Sequence, residues 1–140
     1  MYTRSIRFPS IRSNIKEVES FLLKICEEKF IGQEEVDRIM IAVTEAVNNA
    51  MIHGNGLNPS KSVELLCECN NEQMEFVVRD EGDGFEPDTV PDPRMDSNLL
   101  KEGGRGVLII RCMMDAVEFR RHKMGMELRL TINIHQPQIQ

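Results

Sequence analysis

The sequence predicts an α+β domain, a two-layer sandwich with a mainly antiparallel sheet and helices on one face. Three observations carry this expectation. Val63, Leu65, Cys67 and Cys69 alternate with Glu64, Glu68 and Asn70, and the alternation resumes in Met74, Phe76 and Val78 after an Asn70-Asn71-Glu72-Gln73 turn. Two earlier stretches instead repeat apolar residues every three or four positions, as amphipathic helices do. No repeat or linker divides the 140 residues, so one domain over 1–140 is expected; a globule of that size buries roughly 68–70% of its unfolded surface.

The elements follow in order. Tyr2 to Phe8 reads as a strand ended by Pro9. Ser10 or Ser13 is a candidate cap for a helix running to about Phe30, with Ile15, Val18, Phe21, Leu22 and Ile25 on one stripe and Gly32 as its stop. A second helix, from about Gln33 to His53, carries Val36, Ile39, Met40, Val43, Val47 and Ala50 inward, with Gly54 as a left-handed exit. After the two strands, the Pro- and Asp-rich stretch from Phe85 to Asp96 is too rigid for a helix and too polar for a core, and reads as a loop or lid. Val107 to Met114 is an apolar helix, Val117 to Arg121 a strand, and Met126, Leu128, Leu130, Ile132 and Ile134 the inward positions of a final strand paired with it.

Composition excludes several classes. With 17 basic and 23 acidic residues the net charge is −6, which argues against a protein that tracks a nucleic-acid backbone. The short basic run Arg120-Arg121-His122-Lys123 fits a solvated strand and turn. No apolar run approaches the ~18 to 20 residues of a membrane span, and the first residues lack a secretory core. Cys26, Cys67, Cys69 and Cys112 show no zinc-ligand spacing and read as buried free thiols, which points to the cytoplasm.

Chemistry concentrates in three segments. Glu45 is the sole charged residue between Ile39 and Ile52, and a carboxylate in so apolar a helix needs a partner, a proton or a task. Asn49 lies one turn on, so both side chains could reach one ligand: the Asn49 amide oxygen suits Mg²⁺, and Glu45 could take a proton from a hydroxyl. On this helix alone, an Arg or backbone amides in the core would explain Glu45 equally well. Asp80 ends the Phe76-Val77-Val78 strand and opens Asp80-x-Gly82-x-Gly84. A carboxylate there can accept a hydrogen bond from an exocyclic amine, with glycines letting the backbone approach a flat base, although Asp and Gly are also ordinary turn residues. Gly103-Gly104-Arg105-Gly106 opens an apolar helix, whose free amides can bind phosphate, or else forms a hinge. Neither cluster is a Walker loop or a dinucleotide fingerprint. It is their order that points to a nucleotide.

In that order the chain resembles the GHKL ATPases (gyrase, histidine kinase, MutL), and most closely the anti-sigma regulatory serine/threonine kinases of partner-switching systems, over nearly its whole length. The family motif E-x-x-x-N-A followed by His-Gly is matched by Glu45, Asn49, Ala50, His53 and Gly54. The resemblance implies the Bergerat (histidine kinase-like ATPase) fold, with an ATP lid at about 85–103. It implies Glu45 as general base, Asn49 as Mg²⁺ ligand, Asp80 as the contact to the adenine amino group, Gly82 and Gly84 as the floor of the base pocket, and Gly104 and Gly106 as the phosphate-binding turn. Arg105, commonly apolar in relatives, could reach a phosphate or stand in solvent. The implied function is a cytoplasmic kinase, a homodimer in the family, that uses ATP (or ADP in its bound state) and Mg²⁺. It would phosphorylate a Ser or Thr of a STAS-type anti-sigma antagonist and sequester a sigma factor, with no direct contact to nucleic acid or membrane. The alternative is a nucleotide-binding module that switches partners without phosphoryl transfer. Gly125-Met126 stands where the family has Gly-Thr, which removes a hydroxyl from the pocket.

Overall fold

The computed structural model describes residues 2–82, 105–122 and 125–134. They form β1 (Tyr2–Pro9), α1 (Ile15–Glu28), α2 (Gln33–Asn49), β2 (Ser62–Cys69), β3 (Gln73–Arg79), α3 (Gly106–Met113), β4 (Ala116–His122) and β5 (Gly125–Asn133). The sheet order is β1-β2-β3-β5-β4 and every neighbouring pair is antiparallel. The expected mainly antiparallel two-layer fold is therefore observed.

The strands face as their alternation requires. Val63, Leu65, Cys67 and Cys69 of β2, Met74, Phe76 and Val78 of β3, and Leu128, Leu130 and Ile132 of β5 are buried against Val18, Leu22 and Ile25 of α1 and Ile39, Val43 and Val47 of α2. Each such side chain removed from water contributes roughly 1.5–3 kcal/mol. Met126, expected inward, is only half-buried at the sheet's end. Burial pushes the Cys26 thiol up to about 11 and Cys67 to about 12, with each neighbouring thiol adding to the effect. Cys112 departs from the expectation: it is exposed on α3, because that short helix buries only Gly106, Val107 and Ile110.

The helix ends differ from the sequence expectation at three places. Neither Ser10 nor Ser13 caps α1, which grows out of a 3-10 turn at Arg12–Asn14; Ser10 is buried instead, its hydroxyl donating to the Lys61 carbonyl. The left-handed residue closing α1 is Phe30 (φ +54°), not Gly32. Ile31 N–H donates to Cys26 O and Phe30 N–H to Glu27 O, the paired bonds of a Schellman ending, while Gly32 is extended and precedes α2. The α2 helix runs on into a π-helical turn at Ala50–Gly54, and the left-handed backbone follows at Gly56 (φ +62°) and Leu57 (φ +55°) rather than at Gly54. Such π turns inside or after helices often mark functional sites.

Candidate nucleotide site

The π turn delivers Gly54 to the end of β3. A Cβ on Gly54 would collide with the Asp80 carboxylate, so glycine is required here for close approach and not for its dihedral freedom. Asp80 is 6% exposed. Its Oδ1 accepts hydrogen bonds from Gly82 N–H and Met126 N–H, both at 3.0 Å, and its own N–H donates to Met126 O at 3.0 Å. The contribution of position 126 to Asp80 is therefore made by the backbone, and methionine makes it as well as threonine would. Gly125 lies against the other side of Asp80, where a Cβ would overlap its carbonyl and carboxylate. Gly82, buried, packs on the Gly54 carbonyl with equally little room.

Glu81, between these two motif residues, is held as firmly. Its N–H donates to Asn55 Oδ1 at 2.7 Å, while its carboxylate accepts hydrogen bonds from Ser62 N–H and from Arg7 (2.8 Å). Short charged bonds to backbone amides are among the stronger ones a loop can make. The Asp80-Glu81-Gly82 turn is thus fastened to β5 on one side and to the π turn and the start of β2 on the other.

The second half of the site lies between α2 and α3. Glu45 and Asn49 are partly buried, one turn apart, and face the first residue of α3. A Cβ built on Gly106 would stand 3.0 Å from Glu45 Oε2 and 3.2 Å from Asn49 Nδ2. The α3 helix is kept on α2 at its far end, where Arg38 Nε donates to Met113 O (2.8 Å) and the guanidinium lies 3.6 Å from Asp115. Glu45 is thus not sunk in a core beside an Arg, as one sequence explanation had it; it borders the amide end of a helix. Arg105 is exposed just before α3. Gly84, Gly104 and the lid segment at 85–103 lie outside the described residues.

Among the described residues no three His, Cys, Asp or Glu side chains converge to hold a metal. The Asn49 amide oxygen would suit Mg²⁺ only in a common protein mode, in which one or two protein oxygens share the ion with water and phosphates. The structure brings Glu45, Asn49 and Gly106 together, and Asp80 and Gly82 together. Asn55 and Glu81 also build the site, although no motif in the sequence marks them. Their one sequence signal is position: Asn55 follows the His53-Gly54 pair, and Glu81 lies inside the glycine motif.

Comparison with known proteins agrees with this fold. The model of the histidine kinase-like ATPase domain matches residues 8–132. An anti-sigma F factor of Oceanobacillus iheyensis is 33% identical over 81% of this chain and 80% of its own length. The serine-protein kinase RsbW of Staphylococcus aureus is 27% identical over 96% of this chain and 88% of its own. A crystal structure of the RsbU and RsbW domains of a Mycobacterium tuberculosis protein superposes with a TM-score of 0.72 at 14% identity; it covers 98% of this chain, which spans 34% of that one, and shows likeness of fold. Among the described residues no helix is long and apolar enough to cross a membrane. With the matched region running from β1 to β5, this chain belongs to the histidine kinase-like ATPase domain family.

Proposed function

We propose that the chain is an ATP-dependent serine/threonine protein kinase and anti-sigma factor. It phosphorylates a Ser or Thr of a STAS-type antagonist and sequesters a sigma factor; relatives named anti-sigma F factor and serine-protein kinase support the anti-sigma and kinase parts of this reading. The observation that carries the proposal is the position of Glu45 and Asn49 against Gly106, at the N-terminus of α3. Amides at a helix start favour phosphate, and the adjacent carboxylate can accept a hydroxyl proton.

The roles are those the family resemblance implies, and the positions of the described residues support them. Asp80 accepts a hydrogen bond from the adenine amino group while Gly82, with Gly84 by the resemblance, forms the floor of the base pocket. Gly106, with Gly104 by the resemblance, cradles the phosphates with Arg105 beside them, and Asn49 would hold Mg²⁺. Bound Mg²⁺ would offset phosphate charge. Glu45 takes the proton from the acceptor hydroxyl as that oxygen bonds to the γ-phosphorus, and the bond to the β-γ bridging oxygen breaks to release ADP. Such transfer relies mainly on positioning and charge neutralisation, so a site this small suffices. A partner switch without transfer was suggested by the missing hydroxyl at Met126, but the backbone bond from Met126 to Asp80 weakens that motive.

The test is transfer of labelled phosphate from ATP to the antagonist. Wild type should transfer, and Glu45→Gln should lose on the order of 10²–10⁴-fold in rate while binding ADP unchanged. Undiminished transfer by Glu45→Gln would remove Glu45 from the reaction. ADP binding without any phosphoprotein product from wild type would favour the non-catalytic switch.

A further inference from the structure

We propose that Asn55 is a positioning residue for purine recognition, setting where the Asp80 carboxylate stands relative to the helix that carries Glu45 and Asn49. The inference rests on the nucleotide site proposed above and assigns a role to a residue outside its motifs.

Asn55 is 3% exposed, and its side-chain amide is fully engaged. Nδ2 donates to Ser10 Oγ (2.8 Å) and to the Ser62 carbonyl (2.9 Å), Oδ1 accepts the Glu81 N–H (2.7 Å), and its main-chain N–H closes the π turn on Ala50 O (2.9 Å). One short side chain therefore ties the end of the α2 helix to the end of β1, the start of β2 and the Asp80-Glu81-Gly82 turn. The chemistry dictates the residue type. Two donors and one acceptor are needed at this reach: aspartate has no donor for the Ser62 carbonyl, and serine offers only one.

The bond to Glu81 N–H carries the functional consequence. That amide adjoins Asp80, whose carboxylate is already fixed from the opposite side by Met126. With both sides fastened, the turn cannot pivot about the β3–β5 edge. The distance from Asp80 to the Asn49 end of α2 is then set by protein bonds and not by the ligand. Preorganisation of this kind sharpens discrimination, because a misplaced acceptor recognises an amine poorly even when the remaining contacts persist.

The discriminating measurement is the ratio of affinities for ADP and inosine diphosphate, which lacks the 6-amino group, taken by calorimetry beside thermal unfolding. Wild type should prefer ADP. Asn55→Ala should shrink that preference about tenfold, the equivalent of one well-placed hydrogen bond. Asn55→Ser, which keeps one hydroxyl and serves if the alanine variant does not fold, should shrink it less. Ser10→Ala removes one of the two bonds from Asn55 Nδ2 but keeps those to the Ser62 carbonyl and from Glu81 N–H, and should leave the ratio unchanged. If Asn55→Ala or Asn55→Ser weakens both ligands in parallel, or if Ser10→Ala narrows the ratio as much, Asn55 serves stability alone and the proposal is overturned. Wild-type protein that binds neither nucleotide would instead overturn the nucleotide site itself, and this inference with it.

Discussion

The two halves of the site are built on opposite plans. Around Asp80 and Glu81 the neighbouring elements contribute bonds: Met126 of β5 to Asp80, and Asn55 after the π turn and Ser62 of β2 to Glu81. Around Glu45 and Asn49 the described residues contribute proximity, a helix N-terminus and a glycine, but no hydrogen bond to either side chain. The difference fits the ligand each half would meet. A purine edge is small and rigid, and is best read by groups fixed in advance. A triphosphate with its metal brings its own charge and its own order, and needs polar groups left available to it. Preorganisation is thus concentrated where recognition needs it.

The sharpest way to break this contrast is to alter one atom in the fastened half. Asp80→Asn can keep an oxygen toward Met126 and Gly82 while presenting an NH₂ group to the adenine amine. ADP affinity should fall about tenfold to a hundredfold, the range for a lost hydrogen bond to a charged group, with thermal stability little changed. A large loss of stability with intact ADP affinity would reverse the roles assigned to the two oxygens. Calorimetry and a melting curve on the same sample decide it.

Two glycines extend the comparison from ligand to fold. A Cβ at Gly125 meets the Asp80 backbone, which cannot yield without disturbing the β3–β5 pairing, so Gly125→Ala should destabilise by about 1–3 kcal/mol. A Cβ at Gly106 meets the far ends of Glu45 and Asn49, which can swing aside. Gly106→Ala should therefore be close to neutral in urea unfolding, aided by the better helix propensity of alanine, yet should weaken nucleotide binding by crowding the cradle. Equal destabilisation by the two substitutions would show the α2–α3 half to be as rigid as the β-sheet half.

How far the sequence revealed this depended on whether a signal was local. Alternation in β2, β3 and β5 predicted both the strands and their buried faces, since a period of two is imposed by the strand itself. The three site segments were legible because each carries its chemistry in a short motif; that they meet depended on the family resemblance. What local patterns could not convey were contacts between distant segments. Ser10 looks like a helix cap until Asn55 and Lys61 are seen beside it. Gly54 looks like a left-handed exit, yet its need arises from Asp80, far along the chain. Phe30 closes α1 in a conformation usually left to glycine, and no pattern in its neighbours announces it.

The smallest effect on nucleotide binding should come from the sheet's outer face. By strand register Arg7, Glu64, Arg79, Glu127 and Arg120 lie side by side across all five strands, alternating in charge. Glu127 is 7% exposed and bonded to Arg79 (2.6 Å) and Arg129 (2.9 Å). Burial alone would raise its pKa, but the hydrogen bonds and charges of Arg79 and Arg129 outweigh it and hold the carboxyl below its usual 4.5. A carboxyl whose folded pKa is depressed contributes stability above its unfolded pKa, and that contribution is lost as pH falls through the folded value. Glu127→Gln should accordingly cost about 1 kcal/mol at neutral pH, the scale of a partly exposed ion pair. The difference from wild type should shrink as the pH drops below 4.5. ADP affinity at neutral pH should hold, since the network lies on the face opposite the helices. A gap in stability that stays constant from pH 7 to pH 3 would assign the loss to packing of the side chain and not to its charge.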